Sequence, residues 1–588
     1  MANRRVLDSS QIENFLYQNE EESSSESESE CEDNLLEDDV QSDTEDEFID
    51  EAEDIPEVSA EDHSKSTADQ AAPSDSRIII SSQRTLRGKN KHCWATSKGR
   101  SHGRTSAINI VRSARGPTRM CRNVYDPLLC FNLFVTDDIL SEIVRWTNEE
   151  ISLKLKFSAT FRETNEIEVR ALIGILTLSA AMKDKHLSTE ELFNSSFSGT
   201  RYVSVMSRDR FDFLIRCLRM DDKSLRPALR TIDPFMPVRK VWDMFIHQCI
   251  INYTPGPYLT IDEQLLGFRG RCPFRMYIPN KPNKYGIKIP MMCDSGTKYM
   301  KNGMPYIGKA TNTNGVPQGE FYVKELSKSV HGTNRNITCD NWFTSVPLAK
   351  SLLQEPYKLT MVGTIRSNKR EIPDQMKNTR SRAVGTSMYC YDGPLTLVSY
   401  KPKPSKMVYL LSSCDEEGTI NQTTGKPEMI MFYNQTKGGV DTFDQMCSSM
   451  SCSRKTNRWP MAVLYGIFNI AFINSYVIYC SNILSKNEKP LSRKNFMKKL
   501  STDLTLPWME KRLQMPTLKR TVRQNIEELL PNPNVNSGQA QQEEPPVKKK
   551  RYCSYCPSKL RRMSKLSCMK CKKPVCGEHN RVVCHKCI

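Results

Sequence analysis

Apolar residues recur at helical spacing across much of the first half of the chain. Their positions lie about 3.6 residues apart across Ile139–Trp146 and Val169–Met182. A third stretch, Met206–Met220, is punctuated by Arg208, Arg210, Arg216 and Arg219. The pattern from about residue 109 to residue 255 therefore predicts an all-helical domain with a basic face.

The pattern changes at Tyr258, where short β-prone runs begin to alternate with amphipathic segments. Strands are predicted at Tyr258–Ile261, Tyr285–Cys293, a short run at Tyr306, Ile337–Cys339 and Leu359–Ile365. Helices are predicted at Glu320–Val330 and Thr344–Gln354. The order β-β-β-α-β-α-β favours a mixed α/β sheet.

The segment after residue 366 has a third pattern. Three further strands are predicted at Met388–Tyr391, Leu395–Tyr400 and Met407–Ser412, separated by turns at Asp392-Gly393 and Lys401–Pro404. These strands predict a small β-rich insertion. A helical pattern begins at Val440, after a Gly-Gly break, and continues to about Leu530.

A 22-residue apolar run, Trp459–Cys480, is long enough to span a bilayer. It contains Asn469, Asn474 and Ser475 and lies deep inside a basic chain. We interpret it as a buried core helix or a dimer-interface helix and expect no membrane anchor.

Charge is divided unevenly along the 588 residues. Residues 1–62 hold 24 acidic and two basic residues, so a total net charge of +16 leaves +38 for the rest of the chain. A body this basic favours a polyanionic partner, with nucleic acid first among the candidates. Nothing in the sequence indicates a small-molecule substrate.

The N-terminal region has the composition of a disordered tail, acidic and serine-rich up to residue 62 and basic over Arg84–Arg104. We predict disorder up to about residue 110. An autoinhibitory tail that competes with DNA and a tail that only solvates the protein both fit this composition.

The last 36 residues contain eight soft metal ligands in four pairs. They are Cys553 and Cys556, Cys568 and Cys571, Cys576 and His579, and Cys584 and Cys587. Eight such ligands suit two tetrahedral Zn²⁺ sites, and metal binding would supply about 10–16 kcal/mol of folding free energy per site. A disulfide framework is disfavoured because one ligand is histidine and the chain begins without a secretory signal.

Three aspartates lie where predicted elements end or begin: Asp262, Asp340 and Asp441. Asp444 follows Asp441 by three residues, on the same helical face. Carboxylates that converge at one sheet edge could hold two Mg²⁺ ions about 3.5–4 Å apart for phosphodiester chemistry. Spacing alone leaves simple turn-capping aspartates as an open alternative.

Cations surround these acids in the sequence, and one tryptophan lies among them. The candidate DNA contacts are Arg269, Arg271, Arg275, Lys281, Lys284, Arg366, Lys369, Arg454, Lys455 and Trp459. The cations would contact phosphates, and the tryptophan could stack on an unpaired base. The alternative is a solvated basic surface with a core tryptophan.

Around these acids and cations the chain resembles the piggyBac family of transposases. The matching motifs are LTIDEQLLGFRGRCPFRMYIPNKPNKYGIKI, NITCDNWFTS, VGTIRSNKREIP, YNQTKGGVDTFDQM, SRKTNRWPM and the C-terminal YCSYCPSK with its cysteines. The resemblance covers nearly the whole chain apart from the first 40 residues and the linker near 531–546.

The resemblance implies a DDD-class cut-and-paste DNA transposase with an RNase H-like core. The family triad falls on Asp262, Asp340 and Asp441 as Mg²⁺ (or Mn²⁺) ligands, with Asp444 as an accessory acid. The family frees a 3′-OH at each element end, closes a DNA hairpin, inserts at TTAA and excises without a scar. The expected partners are double-stranded DNA at the terminal repeats and target, and a second copy of the chain.

The resemblance also implies a domain plan and a nuclear location. The plan is a tail at 1–110, a helical dimerisation and DNA-binding domain at 111–257 and 451–529, a catalytic core at 258–366 and 428–450, a β-rich insertion at 367–427, a linker with a nuclear import signal at 530–551, and a zinc domain at 552–588 that binds the terminal repeats. In the family's cross-brace topology one Zn²⁺ takes Cys553, Cys556, Cys576 and His579. The other takes Cys568, Cys571, Cys584 and Cys587.

Two alternatives belong to other functional classes. A domesticated, inactive relative would bind DNA only, and the intact acids count against it. A chromatin or ubiquitin-pathway adaptor would use the zinc module, but the lone histidine is the sixth ligand, whereas such modules carry it fourth or fifth.

Overall fold

A computed structural model describes residues 77–98, 110–155, 162–279, 281–308, 311–414, 418–530, 551–557, 559–560, 562–564, 566 and 573–579. The chain divides into two compact units, Met1–Glu527 and Glu528–Ile588. The predicted tail up to residue 76, the import signal at 548–550 and four of the zinc ligands lie outside the described residues.

The α-helices of the first unit include those that apolar spacing predicts. They are α1 (Pro127–Asn132), α2 (Asp137–Leu155), α3 (Glu166–Met182), α4 (Thr189–Leu192), α5 (Ser195–Ser198), α6 (Arg201–Val205), α7 (Arg208–Cys217), α8 (Arg226–Leu229), α9 (Met236–Asn252), α10 (Gln318–Ser327), α11 (Val346–Leu353), α12 (Glu428–Lys437), α13 (Gly439–Ser449), α14 (Trp459–Ser485), α15 (Arg493–Leu513) and α16 (Arg520–Leu529). Helix α16 extends two residues past the boundary between the two units.

The strands are mostly short. They are β1 (Ile78–Ile79), β2 (Thr85–Arg87), β3 (Cys93–Ala95), β4 (Gly116–Pro117), β5 (Tyr253–Thr254), β6 (Tyr258–Gly267), β7 (Arg275–Tyr277), β8 (Tyr285–Asp294), β9 (Met300–Gly303), β10 (Asn336–Cys339), β11 (Thr360–Thr364), β12 (Ser387–Asp392), β13 (Leu395–Lys403), β14 (Lys406–Ser412), β15 (Arg551–Tyr552) and β16 (Met563–Ser564). The last two pair with each other in the second unit.

A 12-stranded mixed sheet runs through the described part of the first unit. Its order is β2-β3-β12-β13-β14-β11-β10-β6-β8-β7, with β1 on β12 and β9 on β8. Strands β6, β10 and β11 are mutually parallel, whereas β8 and β9 run antiparallel to their neighbours. The mixed α/β class is therefore confirmed.

The two faces of the central strands differ in chemistry. Leu259, Ile261 and Ile337 point into an apolar core that α10 and α11 help to close. Thr260 lies on the other face, where its hydroxyl donates to the backbone oxygen of Thr436 in α12 at 2.6 Å. Helices α12 and α13 cover this second face, and the polar side chains beneath them anchor both helices.

The β-rich insertion forms as three strands, but it does not make a sheet of its own. Strand β14 pairs antiparallel with β11, with Val362 opposite Ser412. The insertion strands therefore extend the central sheet, because the free edge of β11 offers unpaired backbone groups.

The prediction of disorder up to about residue 110 is wrong for residues 77–98. Strands β1 and β3 pair with β12, and β2 pairs with β3. Trp94 is fully buried. The buried Leu86 and Trp94 and an available sheet edge order this segment, although most of its residues are polar.

Two predicted strand positions were wrong. Strand β6 continues to Gly267, so Asp262 lies inside it, because residues 262–267 pair with β8. The third strand lies at Met300–Gly303 and not at Tyr306. The chain at Tyr306 still donates its N–H to Lys288 O, but it has left regular strand geometry.

The apolar helix α14 is a core helix. Among the described residues it is the helix long and apolar enough to cross a membrane, yet its most apolar window is completely buried within the protein. Asn474 exchanges two hydrogen bonds with the backbone of Met300, and Asn482 donates to the carbonyls of Cys121 and Val124. These satisfied amides fix the helix against its neighbours.

Candidate active site

Asp262 and Asp340 lie side by side on adjacent parallel strands. Ile261 of β6 is in register with Cys339 of β10, so the next residue of each chain occupies the same face. Strands in a sheet lie about 4.7–4.9 Å apart, which places the two carboxyl groups within reach of a shared ligand. Asp262 and Asp340 lie two positions after Thr260 and Thr338, whose hydroxyls both donate to Thr436 of α12. Alternate residues of a strand share one face, so both aspartates point toward α12 and α13.

Helix α13 brings Asp441 and Asp444 to the same place. It starts at Gly439, where an added Cβ would come within 2.2 Å of the Thr260 hydroxyl, so only glycine permits this close approach. Asp444 accepts a hydrogen bond from Gln264 Nε2 of β6 at 2.7 Å. Asp441, one turn earlier, keeps 62% of its side chain exposed.

The electrostatics show that the carboxyl groups crowd one another. Burial raises the pKa of Asp262 well above its ordinary value, and the nearby carboxylates of Glu263, Asp340 and Asp441 raise it further. Burial and Glu263 raise the pKa of Asp340 to about 7. Burial also raises the pKa of Asp444. Such a site has an unmet demand for positive charge.

Lys281 supplies part of that charge. Its Nζ lies 3.1 Å from Asp441 Oδ1 and 3.4 Å from the backbone oxygen of Glu263. Burial alone would lower the pKa of Lys281, but Asp262, Asp441 and Glu263 together raise it above the ordinary value. The sequence predicts a DNA contact for Lys281, whereas the structure places it among the acids.

Two further residues, Glu263 and Lys288, belong to the site. Glu263 follows the first aspartate, and Lys288 of β8 is buried with its Nζ 4.1 Å from the centre of the Trp342 ring. Burial raises the pKa of Glu263, but Lys288 and other groups outweigh it and the pKa is lowered overall. The signal was present: an acid and a lysine on two neighbouring strands of one predicted sheet.

The predicted DNA contacts fall into two groups. Arg269, Arg271, Lys284 and Lys455 are exposed, and Arg366, Lys369 and Arg454 are half-buried. Arg366 lies beside the acids, because its Nε donates to Asn341 Oδ1 at 3.1 Å.

Arg275 and Trp459 make contacts within the protein. Arg275 is buried and donates to the carbonyls of Arg269 and Gly270 at 2.7 and 3.0 Å. The Trp459 ring packs against Phe235 and Phe274. Both side chains stabilise local packing, so we leave them out of the candidate DNA surface.

The second unit contains a closed ligand cluster. The ligand atoms of Cys553, Cys556, Cys576 and His579 all lie within 4.8 Å of one another. Contacts of 3.6 Å between Cys556 Sγ and Cys576 Sγ and 3.2 Å between Cys576 Sγ and His579 Nδ1 approach the edges of about 3.5–3.8 Å that tetrahedral Zn²⁺ bond lengths require. The other predicted ligands, Cys568, Cys571, Cys584 and Cys587, lie outside the described residues.

Comparison with known proteins gives the family. A family model described as Transposase IS4 matches residues 126–476, the stretch that carries all four aspartates. The cryo-EM structure of a piggyBac transposase synaptic complex with hairpin DNA is similar with a TM-score of 0.70 and 70% sequence identity, over 81% of this chain and 100% of that chain.

Two curated human proteins are more distant relatives. PiggyBac transposable element-derived protein 3 is 23% identical over 398 residues, which is 64% of each chain. The chimeric ERCC6-PGBD3 protein has the same identity over 36% of its length. This chain thus spans slightly under two thirds of the first relative and about a third of the second. The resemblance seen in the motifs is confirmed, and the chain belongs to the piggyBac family of DNA transposases.

Proposed function

We propose that this protein is a cut-and-paste transposase that binds the terminal inverted repeats of its element, excises it through DNA hairpin ends and inserts it at TTAA. The observation that carries the proposal is the grouping of Asp262 of β6 with Asp340, which follows β10, and Asp441 of α13, within a family of transposases. The similar synaptic complex contains hairpin DNA, which supports a hairpin route for this chain.

The strand order supports an RNase H-like catalytic core. Five neighbouring strands lie in the order β9-β8-β6-β10-β11. In chain order, β6, β8 and β9 are antiparallel to one another in succession, and β10 and β11 are parallel to β6. In this arrangement the C-terminal end of β10, and hence Asp340, lies beside the middle of β6.

The acid cluster fits divalent metal ions. Its donors are hard carboxylate oxygens, and burial together with neighbouring carboxylates raises the pKa of Asp262 and Asp340, a cost that a cation would relieve. Asp262, Asp340 and Asp441 would hold Mg²⁺ or Mn²⁺, which when bound activates an attacking oxygen and stabilises a leaving one. Asp444, bonded to Gln264, fixes α13 over the strand and thereby positions Asp441.

The basic residues near the acids would position DNA. Arg366 follows β11 at the same sheet edge as Asp340, and Lys369 follows one turn later. We assign both to target DNA. Neutralising the pair should reduce integration more than excision, and an equal reduction of both reactions would contradict this assignment.

The second unit would recognise the element ends. Cys553, Cys556, Cys576 and His579 would hold one structural Zn²⁺, and the remaining four cysteines of the C-terminal ladder a second. Truncation at Asn534 should weaken binding to end sequences specifically. We further propose a homodimer that brings two ends together in the nucleus, since the similar structure is a synaptic complex.

A plasmid excision assay tests the proposal. Wild-type protein and Asp340→Ala are compared on a donor plasmid with the cognate element ends, and the donor junctions are sequenced. Seamless TTAA repair with the wild type only is the expected result. Absent excision with retained end binding would favour the domesticated DNA-binding protein.

A further inference from the structure

Residues 85–95 form an N-terminal β-hairpin that joins the large sheet, where the sequence predicts a disordered tail. Its strands pair Thr85 with Ala95 and Leu86 with Trp94, and Ala95 also pairs with Tyr391 of β12. The turn closes through a hydrogen bond of 2.9 Å from Gly88 N to His92 O. The N-terminal β-hairpin therefore has a defined position relative to the catalytic strands.

The β-hairpin is anchored on the basic loop, residues 366–371. Trp94 is fully buried, and its Nε1 donates to Glu371 O at 2.8 Å. Asn90 donates its backbone N–H to Arg370 O at 3.3 Å and its side-chain amide to Glu371 Oε1 at 3.1 Å. Three hydrogen bonds thus join the β-hairpin to the C-terminal end of the loop.

Gly88 shows how tightly the two segments fit. A Cβ at this position would lie 2.5 Å from Arg370 O and 2.6 Å from Glu371 O, closer than side-chain carbons approach a backbone oxygen. Any other residue would force the β-hairpin and the basic loop apart. Because the obstructing atoms are backbone, the loop itself would have to move.

The basic loop lies at the catalytic edge. It follows β11, the parallel neighbour of β10, and therefore leaves the sheet at the same end of the strands as Asp340. Arg366 contacts Asn341, the residue after that aspartate. A displaced loop would therefore move cations directly beside the acids.

The β-hairpin adds charge to this edge. Arg87, Lys89 and Lys91 are exposed. Lys377 lowers the pKa of Asp374, and Lys89 contributes to the same shift, which places Lys89 close to the segment that follows the loop. The loop that the β-hairpin contacts carries three further cations, Arg366, Lys369 and Arg370.

We propose that the N-terminal β-hairpin is part of the target-DNA surface: it holds the basic loop in position and contributes Lys89 and Lys91 to bind backbone phosphates of double-stranded DNA. This inference rests on the proposed function, which assigns the basic loop to target DNA. Phosphates of the element ends are the other source of the same chemistry, and the experiment separates the two.

The test uses the full-length protein with pre-cleaved element ends. Binding and strand transfer into a target duplex are measured across a salt series for wild type and Lys89→Ala/Lys91→Ala, together with excision and end binding. Loss of two phosphate contacts should reduce the log–log salt slope for target binding by about 2, so that the affinity lost between about 50 and 200 mM salt shrinks about tenfold. Excision and the salt slope for end binding should stay unchanged.

Two further variants sharpen the test. Gly88→Ala keeps every charge, and it should also reduce strand transfer relative to excision, with thermal denaturation monitored to confirm folding. Lys328→Ala/Lys358→Ala removes two exposed cations from other parts of the surface and should leave both reactions unchanged.

The outcomes separate this inference from the proposed function. An unchanged target slope in Lys89→Ala/Lys91→Ala, with a strand-transfer defect in Arg366→Ala/Lys369→Ala, would overturn the inference alone. A changed slope for end DNA would reassign the β-hairpin to the element ends and overturn it as well. Absence of a selective defect in Arg366→Ala/Lys369→Ala would overturn the assignment of the loop itself.

Discussion

The protein contains two clusters of residues that can bind metal ions, and the ligand atoms lie closer together in one cluster than in the other. In the described part of the chain, Cys553, Cys556, Cys576 and His579 are the group whose ligand atoms lie within 4.8 Å of one another. In the first unit, Asp340 and Asp441 lie near enough to raise the pKa of the buried Asp262, but the aspartates are not contracted to that spacing. Lys281 takes a place among them.

The difference follows from where the ligands lie in the chain. The cysteine and histidine ligands come from 27 consecutive positions, so short turns determine their spacing. The aspartates come from two strands and a helix up to 182 positions apart, so the whole sheet determines theirs. A structural metal site benefits from closure, whereas a catalytic site must leave room for a substrate.

Removal of zinc should have the largest effect. The second unit is too small to bury an adequate apolar core, so loss of one structural ion costs on the order of 10 kcal/mol and should unfold it. Cys576→Ser, followed by zinc content and hydrogen exchange, should show lost protection in residues 551–579 only. Cys93→Ser, an exposed cysteine elsewhere, is the control. Full protection in Cys576→Ser would contradict a structural role.

Removal of a catalytic acid should come next. Asp262→Ala, Asp340→Ala and Asp441→Ala should each reduce cleavage by on the order of 10³-fold or more, because each removes an oxygen donor that the reaction requires. Binding to end DNA should persist in a mobility-shift assay. Asp503→Ala, on α15, controls for charge. A single variant that still nicks DNA would remove that residue from the site.

The pKa of Asp340 predicts a smaller, pH-dependent effect on stability. Its pKa rises from 3.8 in the unfolded chain to about 7 in the folded one, so between these values the folded protein binds more protons. Metal-free protein should therefore lose stability as pH rises through that window, by up to about 2 kcal/mol after allowance for solvent screening. Asp340→Asn should remove the loss.

Thermal denaturation of zinc-loaded protein in Mg²⁺-free buffer at pH 5 and pH 8 measures this effect. Asp340→Asn should denature at a higher temperature than wild type at pH 8 and gain nothing from Mg²⁺, whereas wild type should be stabilised by Mg²⁺. Equal pH dependence in both proteins would show that the crowding of carboxylates is not the cause.

Lys281→Met should give the smallest effect. Its partner Asp441 is mostly exposed, so the ion pair contributes no more than about 1 kcal/mol. The zinc-loaded variant should be slightly less stable in Mg²⁺-free buffer, and Mg²⁺ should restore it to the level of wild type because the ions replace the lost charge. A deficit that persists at saturating Mg²⁺ would mean that Lys281 serves packing instead.

Period and turn signals were sufficient to predict most elements, including the strand that precedes Asp340 and the helix capped by Ser345. These signals failed where contacts with other parts of the chain determine the local structure. Strand β6 runs past Asp262 only because β8 pairs with it, and α12 was missed because its apolar pattern is short and lies between Pro427 and Gly438. The N-terminal β-hairpin was missed because its strands are only three residues long and lie among basic and polar residues.

The candidate site was predictable in its residues but not in its arrangement. Aspartates near strand ends and a helix start indicated the three acids, yet only the parallel register of β6 and β10 shows that two of them are neighbours. Lys281 could not be separated from the surrounding cations by sequence, because its position depends on how the segment after β7 returns to the sheet.

The most direct measurement is single-turnover cleavage of an element-end duplex by zinc-loaded, full-length protein across a Mg²⁺ titration, comparing wild type with Asp340→Asn. The account predicts Mg²⁺-dependent nicking by wild type and none by Asp340→Asn at any Mg²⁺ concentration, with equal binding of the end by both. Cleavage by Asp340→Asn at the wild-type rate, or by wild type without a divalent ion, would contradict the assignment of the acid cluster as the catalytic centre.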